Sequence, residues 1–266
     1  MCDNEHANKP SQEACVVVES KLLAPTISRL TLAAPWIAAA AKPGQFIHLQ
    51  IPSLTEHMLR RPLGIYRRDV QRGEIVLVVQ AVGTGTRALM GAKPGDELPA
   101  LGPIGHGYSP DPQARDILLV AGGIGAVPLY SLAEEARKTA HVQVILGAQT
   151  ADLQVFQKDY ESLVGENSVH ICTDDGSAGF QGFTTELASQ LLKTTKFDYI
   201  ATCGPHMMQS KIAHLALKAG VTCEVSLEER MACGIGACLS CVVDTTSGKK
   251  RVCVDGPVFT ASEVIW

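Results

Sequence analysis

The chain has 266 residues, a formal net charge of −4 at pH 7 and 46% hydrophobic residues, which is enough for one large or two ordinary domains. The acidic balance argues against a nucleic-acid partner, and no apolar run approaches the ~20 residues of a membrane span. The polar N-terminus lacks the apolar core of a signal peptide, so we expect a cytoplasmic protein whose residues 1–13 form a disordered extension.

Residues 14–112 have the pattern of an antiparallel β-barrel domain. Short runs of alternating or β-branched residues, separated by turn signals, follow one another: CVVVESKLL, ISRLTLAA, QFIHLQI, RPLGIYRRD and EIVLVVQAV. A short helix is expected at TRALMG, residues 86–91.

Two segments of this barrel have phosphate-binding character. RRPLGIY (60–66) offers arginines, which pair with pyrophosphate, and a proline that fixes an extended backbone. VVQAVGTGT (78–86) ends a strand in a glycine-rich turn with backbone N–H groups available to phosphate oxygens. Either segment alone also fits a barrel strand with a solvated arginine and an ordinary turn.

Residues 113–222 alternate strands and amphipathic helices, which predicts a parallel sheet with crossover helices. AGGIGAVPL (121–129) follows an apolar strand and opens a helix, as a dinucleotide-phosphate turn does, although strand-to-helix packing also requires glycine. CGP (203–205) and TDDGSAG (173–179) end other strands at the same sheet edge, where Cys203 is a candidate neighbour of a nicotinamide ring or simply a small buried residue. The two carboxylates of TDDGSAG would repel the 2′-phosphate of NADP, which favours NAD.

Residues 223–266 contain five of the nine cysteines, and four of these have the spacing Cys233-x4-Cys238-x2-Cys241-x11-Cys253. The first three match the C-x4-C-x2-C run of plant-type [2Fe–2S] ligation, and Gly234 and Gly236 allow the backbone to bend round a cluster and offer N–H donors to it. A zinc site usually has two separated C-x2–4-C pairs, and a disulfide framework usually belongs to a short secreted chain. We therefore favour [2Fe–2S] over zinc or disulfides and expect the metal centre to stabilise this appendage, which has too few apolar residues for its own core.

The order of these motifs resembles the ferredoxin–NADP reductase superfamily, and SLEERMACGIGACLSC followed by CVDGPVF resembles electron-transfer subunits of NAD-linked (class 1B) dihydroorotate dehydrogenases. The resemblance spans residues 14–266. It implies three groups of site residues: for FAD, Arg61, Pro62, Leu63, Gly64, Val78, Val79, Gln80, Gly85 and Thr86; for the [2Fe–2S] cluster, Cys233, Cys238, Cys241 and Cys253; for NAD, Gly122, Gly123, Gly125, Cys203, Gly204 and Pro205. Relatives usually have serine, with its hydroxyl near the flavin, where this chain has Gly64.

The resemblance also implies an electron relay in pyrimidine biosynthesis. A partner catalytic subunit carrying FMN would oxidise dihydroorotate, and electrons would pass through [2Fe–2S] and FAD to NAD+, in a heterotetramer with two subunits of each kind. Two alternatives stay open: a subunit of another flavin/iron–sulfur reductase (sulfide dehydrogenase, transhydrogenase or oxygenase type), or a zinc-stabilised, non-enzymatic binding module. In the sulfide and transhydrogenase relatives the first cluster ligand is often aspartate, so Cys233 favours the orotate branch.

Overall fold

A computed structural model describes residues 10–52 and 59–266 and begins with a seven-stranded antiparallel sheet in the order β4-β3-β7-β1-β2-β6-β5. Its strands are β1 (Ser11–Ala24), β2 (Ile27–Ala33), β3 (Phe46–Leu49), β4 (Arg61–Gly64), β5 (Arg67–Asp69), β6 (Glu74–Gln80) and β7 (Glu97–Ile104). The helices α1 (Pro35–Ala40) and α2 (Thr84–Leu89) connect them. Alternate residues such as Leu30 and Leu32 are fully buried, as a half-buried strand requires, and the predicted barrel is confirmed.

The N-terminal part of β1 differs from the expected disordered extension. Ser11, Gln12 and Glu13 pair with β7, and the Glu13 carboxylate accepts the backbone N–H groups of Trp36 and Ile37 at 3.1 and 3.0 Å. Strand pairing and the Glu13 carboxylate thus provide hydrogen-bond partners for backbone groups of both segments. The polar composition of residues 11–13 does not predict this pairing. Residues 1–9, the rest of that expected extension, lie outside the described residues.

The second half of the chain forms a largely parallel sheet covered by helices on both faces. It contains β8 (Asp116–Gly122), β9 (His141–Ala148), β10 (Val169–Thr173), β11 (Phe180–Gln181), β12 (Tyr199–Cys203) and β13 (Thr222–Ser226). The helices are α3 (Ala126–Ala136), α4 (Gln157–Val164), α5 (Thr184–Thr194) and α6 (His206–Ala219). Within the described part of the chain, no helix is long and apolar enough to cross a membrane.

The cysteine-rich segment adds a hairpin of β14 (Val242–Thr245) and β15 (Gly248–Arg251), and then β16 (Val258–Thr260). Because β16 pairs with β13, the sheet order is β11-β10-β9-β8-β12-β13-β16. The expected domain boundary at residue 222 therefore falls at the start of a strand of the parallel sheet. Instead of relying on the metal centre alone, the segment packs Val252 and Phe259 into a core shared with Phe46 of the barrel and Leu118 of β8.

A polar and aromatic junction joins the barrel to the α/β half. The Tyr66 ring lies 4.3 Å from that of Tyr130, and the Tyr66 hydroxyl donates to the Asp159 carboxylate at 2.8 Å. The Arg29 guanidinium pairs with the same carboxylate and lies 5.6 Å from the centre of the Tyr66 ring. These contacts set the orientation of the two halves around the site.

Candidate functional site

A cavity of about 890 Å³ opens at the carboxyl ends of the parallel strands. Its wall is formed by residues that follow five of them: Gly122–Ile124, Gly147–Gln149, Asp174, Gly204–Gln209 and Leu227–Glu229. Ile27 and Gln80 close it from the barrel side. The chain turns from β8 to β9 on one side and later returns to β12 on the other, so the cavity lies at the switch point where α/β sheets bind ligands.

The two glycine-containing turns after β8 and β12 pack against each other. A side-chain carbon at Gly125 would stand 2.7 Å from the Gly204 nitrogen, and one at Gly122 would stand 2.7 Å from Pro205 Cδ. Packing therefore accounts for Gly122 and Gly125 without a ligand. Gly123 differs, because its φ is +54° and the space beside it is open. The Gly123 backbone is thus the part of this turn that faces free space beside the cavity.

Cys203 ends β12 and is buried, next to the Gly204 backbone that lines the cavity. Burial raises the pKa of its thiol, and the Glu228 carboxylate raises it further. The side chain therefore remains a neutral thiol at pH 7 and cannot act as a thiolate nucleophile. Desolvation of its carboxyl also raises the pKa of Glu228, although the residue as a whole is exposed at the cavity wall.

The loop after β10 has two carboxylates in different settings. Asp174 lines the cavity. The Asp175 carboxylate accepts the Ser177 hydroxyl at 2.6 Å and the Ser177 backbone N–H at 3.0 Å, and these bonds lower its pKa. Asp175 thus shapes the loop, whereas Asp174 lies at the wall of the cavity.

On the barrel side, the structure brings the two expected flavin segments together. The Arg61 guanidinium carbon would stand 2.8 Å from a side-chain carbon at Gly85, so β4 and the first turn of α2 are in contact. The Thr86 hydroxyl accepts the N–H groups of Val82 and Gly83, each at 3.0 Å, and thereby caps the start of α2. The Arg61 guanidinium, which also donates to the Arg60 carbonyl at 3.3 Å, is a group of the kind that pairs with phosphate.

The other expected flavin residues divide by exposure. Val78 and Val79 are buried on opposite faces of β6, so only their backbone can serve a ligand. Pro62 is exposed and Leu63 half-buried. A side-chain carbon at Gly64 would stand 3.2 Å from Val127 of α3, so a larger residue there would require Val127 to shift by a few tenths of an ångström. The packing of α3 on the barrel is therefore tight at this position and accommodates glycine without adjustment.

The β14–β15 hairpin explains how distant cysteines meet. Cys241 precedes the hairpin and Cys253 follows it, and the Val252 N–H donates to the Cys241 carbonyl at 2.9 Å. The eleven-residue spacer between the two cysteines therefore doubles back and brings its ends together. Cys241 and Cys253 are buried, Cys233 is half-buried and Cys238 is exposed.

The four sulfurs associate in pairs. Cys233 is paired with Cys238 and Cys253 with Cys241, since the second member of each pair influences the pKa of the first, and the charge of Cys233 also acts on Cys253. The four cysteines are sufficient in number for a binuclear [2Fe–2S] centre, in which each iron takes two protein ligands.

Cys233 and Cys253, one from each pair, have opposite pKa shifts. Burial acts to raise the pKa of Cys233, but N–H groups of Ile235 and Cys238, which donate to its sulfur at 3.5 and 3.4 Å, lower that pKa to about 6. Burial and the neighbouring Cys241 raise the pKa of Cys253 to about 12. The loop thus stabilises negative charge on the Cys233 sulfur at neutral pH, as metal ligation needs.

Left-handed backbone winds this loop tightly. Gly234 has φ +69°, Gly236 has φ +81° and Leu239 has φ +59°. The Arg251 guanidinium donates to the Gly236 carbonyl at 3.4 Å and pairs with Asp255 at 3.1 Å, which fixes the loop to the end of β15. The glycines therefore provide the close approach that a cluster requires.

Three residues of this region were not among the predicted site residues. Gln209 is buried, lines the cavity and donates to the Gly204 carbonyl at 2.8 Å, and its own carbonyl oxygen has no partner in the described chain. Glu228 lies beside Cys203. His48 of β3 is fully buried against the cysteine loop, and burial and the charge of Arg60 lower its pKa to about 4, so the ring is neutral. Gln209 and His48 belong to no motif that the sequence analysis singled out, whereas Glu228 stands in the SLEER run before the cysteines.

Sequence comparison matches both ends of the chain to known families. The iron–sulfur cluster binding domain of dihydroorotate dehydrogenase B matches residues 228–265, and the oxidoreductase FAD-binding domain matches residues 14–108. An electron transfer subunit of dihydroorotate dehydrogenase B (NAD(+)) from Desulforamulus reducens is 39% identical over 250 residues, which cover 92% of this chain and 95% of the relative. The corresponding subunit of Geobacillus thermodenitrificans is 36% identical and covers 96% and 98%.

Solved structures share the fold. An NADH-dependent reduced ferredoxin-NADP oxidoreductase matches with a TM-score of 0.86 and 29% identity, covering 96% of this chain and 90% of that one. A ferredoxin NADP+ reductase from Neisseria gonorrhoeae with bound FAD and NADP has a TM-score of 0.66 at 18% identity, with 79% and 92% covered, and this second likeness concerns the fold alone.

Proposed function

The chain belongs to the family of electron transfer subunits of dihydroorotate dehydrogenase B, and on that premise we propose that it passes electrons from a dihydroorotate-oxidising partner subunit to NAD+. When bound, the [2Fe–2S] cluster handles single electrons, and FAD converts them into the two-electron hydride that NAD+ accepts. The chain's own residues bind and orient these groups. None of them is needed as a general base on the pyrimidine.

The observation that carries this proposal is the contact between the cysteine loop and the barrel. Gly234 lies against His48 of β3, and β3 is hydrogen-bonded to β4, the strand with Arg61–Gly64. The cysteine loop is thereby held against β3, the strand next to the arginine segment. A zinc-stabilised binding module would have no need of this adjacency.

We assign the remaining roles by position. Arg61, with the turn around Gly85, would hold the FAD pyrophosphate, and the backbone of Val78–Gln80 would face the flavin. NAD would occupy the cavity, with its charged portion towards the open Gly123 backbone and its ring towards Gly204–Pro205 above the neutral Cys203 thiol. Asp174 would reject a 2′-phosphate by charge repulsion, which favours NAD over NADP.

The partner subunit would dock at the tip of the cysteine loop. Cys238 is exposed there, and Ile235 and Leu239 beside it are 58% and 64% exposed. Cys238 is thus an exposed cluster ligand with apolar side chains beside it. Such side chains would exclude water from the contact once the partner has bound, which suits electron transfer between the subunits. We propose that this partner carries FMN and that the complex is a heterotetramer with two subunits of each kind.

The decisive experiment uses the complex co-purified without oxygen. For each FAD we expect about two irons and about two acid-labile sulfides, as one [2Fe–2S] cluster contains. We also expect dihydroorotate to drive the reduction of NAD+. Zinc in place of iron and sulfide would end the proposal. The cofactors with sulfide- or ferredoxin-dependent activity, and none with dihydroorotate, would assign the chain to another flavin/iron–sulfur reductase.

A further inference from the structure

His48 is a buried polar side chain whose hydrogen-bonding groups are unused. It lies in the middle of β3 with no exposed surface, and neither ring nitrogen has a hydrogen-bond partner within residues 10–52 and 59–266. Burying an unpaired polar group is unfavourable, and an apolar residue of similar size would fill the same space without that cost. A histidine at this position therefore needs a polar partner that belongs to the loaded protein.

The surroundings of the ring identify where that partner lies. Alternation along β3 directs Ile47 into the barrel core, while Phe46 belongs to the core that contains Cys241 and Cys253, so His48 shares the face of Phe46. A side-chain carbon at Gly234 would stand 2.6 Å from His48 Nδ1. The imidazole thus fills the seam between the barrel and the Cys233–Gly234 peptide.

The ring can satisfy one acceptor across this seam. A neutral imidazole has a single N–H donor, and neither ring nitrogen makes a hydrogen bond in the described chain, so this donor is available to an acceptor of the loaded site beside Gly234. Hydrogen bonds into an iron–sulfur site stabilise added negative charge and thus raise its reduction potential.

We propose that His48 is a positioning residue for the [2Fe–2S] cluster, whose Nδ1–H serves the Cys233–Gly234 end of the loop and raises the potential of the cluster relative to that of FAD. The inference rests on the proposed function, because it presupposes iron on the four cysteines. It goes beyond that function in assigning the balance between the two redox centres to a residue of the barrel.

The test is a redox titration of the intact complex, with the reduced cluster followed by electron paramagnetic resonance and the flavin followed by absorbance. Three variants are compared: His48→Phe retains a ring without a donor, His48→Asn places an amide N–H near the position of Nδ1, and Ile47→Val alters the opposite face of β3. We expect His48→Phe to lower the ratio of reduced to oxidised cluster at fixed potential about tenfold, which is about 59 mV for one electron. We expect His48→Asn to remain within about threefold of the wild type, or about half that shift, and Ile47→Val to leave the ratio unchanged.

An unchanged cluster potential in iron-loaded His48→Phe overturns the inference, as does an equal shift in Ile47→Val. If His48→Phe takes up no iron, His48→Asn decides: normal loading with the wild-type potential supports the role of the donor, and equal loss of iron overturns it. A wild-type complex without iron and sulfide would instead mean that the proposed function has failed.

Discussion

The Arg61 guanidinium lies directly over Gly85, so a side-chain carbon at position 85 would stand 2.8 Å from the guanidinium carbon. Gly85→Ala must therefore push Arg61 away from the surface that we assign to the FAD pyrophosphate. A charge-assisted hydrogen bond contributes about 1.5–3 kcal/mol, so we expect the dissociation constant of FAD to rise about tenfold or more. Flavin fluorescence during titration of the apoprotein measures this constant.

Gly83→Ala is the matched control for this substitution. No atom lies within 4 Å of a side-chain carbon at Gly83, and its extended backbone accommodates alanine. FAD affinity should therefore be preserved in Gly83→Ala. Equal weakening in both variants would show that the turn itself, and not Arg61, determines flavin affinity.

Removal of the exposed cysteine should separate the two redox functions. In Cys238→Ser one iron loses a thiolate, so we expect loss of the cluster and of dihydroorotate-linked NADH formation. FAD and NADH-driven dye reduction should persist, because Arg61, Gly85 and the cavity are unaffected. The visible spectrum, iron analysis and the two activity assays measure these effects.

Cys15→Ala provides the comparison, since Cys15 is buried in β1, does not line the cavity and belongs to neither cysteine pair. We expect it to keep the iron and both activities. Full coupled turnover in Cys238→Ser would contradict the proposed electron relay, whereas iron loss in Cys15→Ala would indicate a general effect on folding.

The sequence predicts the fold and the tight winding of the cysteine loop because both depend on local patterns. Alternating strands identify the barrel, and strand–helix alternation identifies the parallel sheet. The C-x4-C-x2-C spacing with Gly234 and Gly236 identifies a wound loop, which the positive φ angles of both glycines agree with. The turn signal TTSG in the spacer after Cys241 also indicates a hairpin, although it carries no information on which sulfurs pair.

Contacts between distant segments account for what the sequence does not predict. His48 stands in the run FIHL, where the pattern predicts a core residue for a lone histidine. Only the fold brings it into contact with Gly234. The same applies to Gly64, which the fold packs against Val127 of α3. Long-range pairing also gives residues 11–13 and the end of the cysteine-rich segment partners that their own composition does not specify.

The Tyr66–Asp159 hydrogen bond should contribute strongly to the stability of the junction between the two halves. Tyr66→Phe removes a donor from a half-buried carboxylate while keeping the ring against Tyr130, so we expect about 1.5–3 kcal/mol loss in unfolding free energy. Guanidinium denaturation of FAD-saturated protein measures it. By contrast, Arg68→Met removes a more exposed pair with Glu135, and its effect should stay below about 1 kcal/mol. An equal loss of unfolding free energy in the two variants would show that the Tyr66–Asp159 hydrogen bond contributes no more than an exposed ion pair does.

The iron-free protein should react with an alkylating reagent first at Cys233. Its pKa is about 6, so the fraction of thiolate, and with it the alkylation rate, should rise through pH 6 and level off above pH 7. Cys253, buried and with a pKa of about 12, should remain unmodified over this range. Mass spectrometry of the two peptides after short iodoacetamide pulses provides the measurement. A half-maximal rate for Cys233 near pH 8.5 would show that the N–H groups of its loop do not stabilise the thiolate.

Dinucleotide choice should depend on Asp174, which lines the cavity after β10. A carboxylate near the adenosine ribose repels a 2′-phosphate, and removal of one such repulsion of about 1.4 kcal/mol changes a rate ratio tenfold. We therefore expect Asp174→Ser to raise the ratio of kcat/KM for NADPH to that for NADH about tenfold, measured by dye reduction with FAD-loaded protein.

Asp175→Asn tests whether position, and not net charge alone, determines this preference. Asp175 lies next in the chain, but its carboxylate is engaged by Ser177, whose hydroxyl also accepts the Ala151 N–H at 2.8 Å. Its substitution should loosen the loop and raise KM for both dinucleotides while leaving their ratio within about threefold of the wild type. If Asp175→Asn changes the ratio as much as Asp174→Ser, the discrimination comes from the charge of the whole loop and the assignment to Asp174 is wrong.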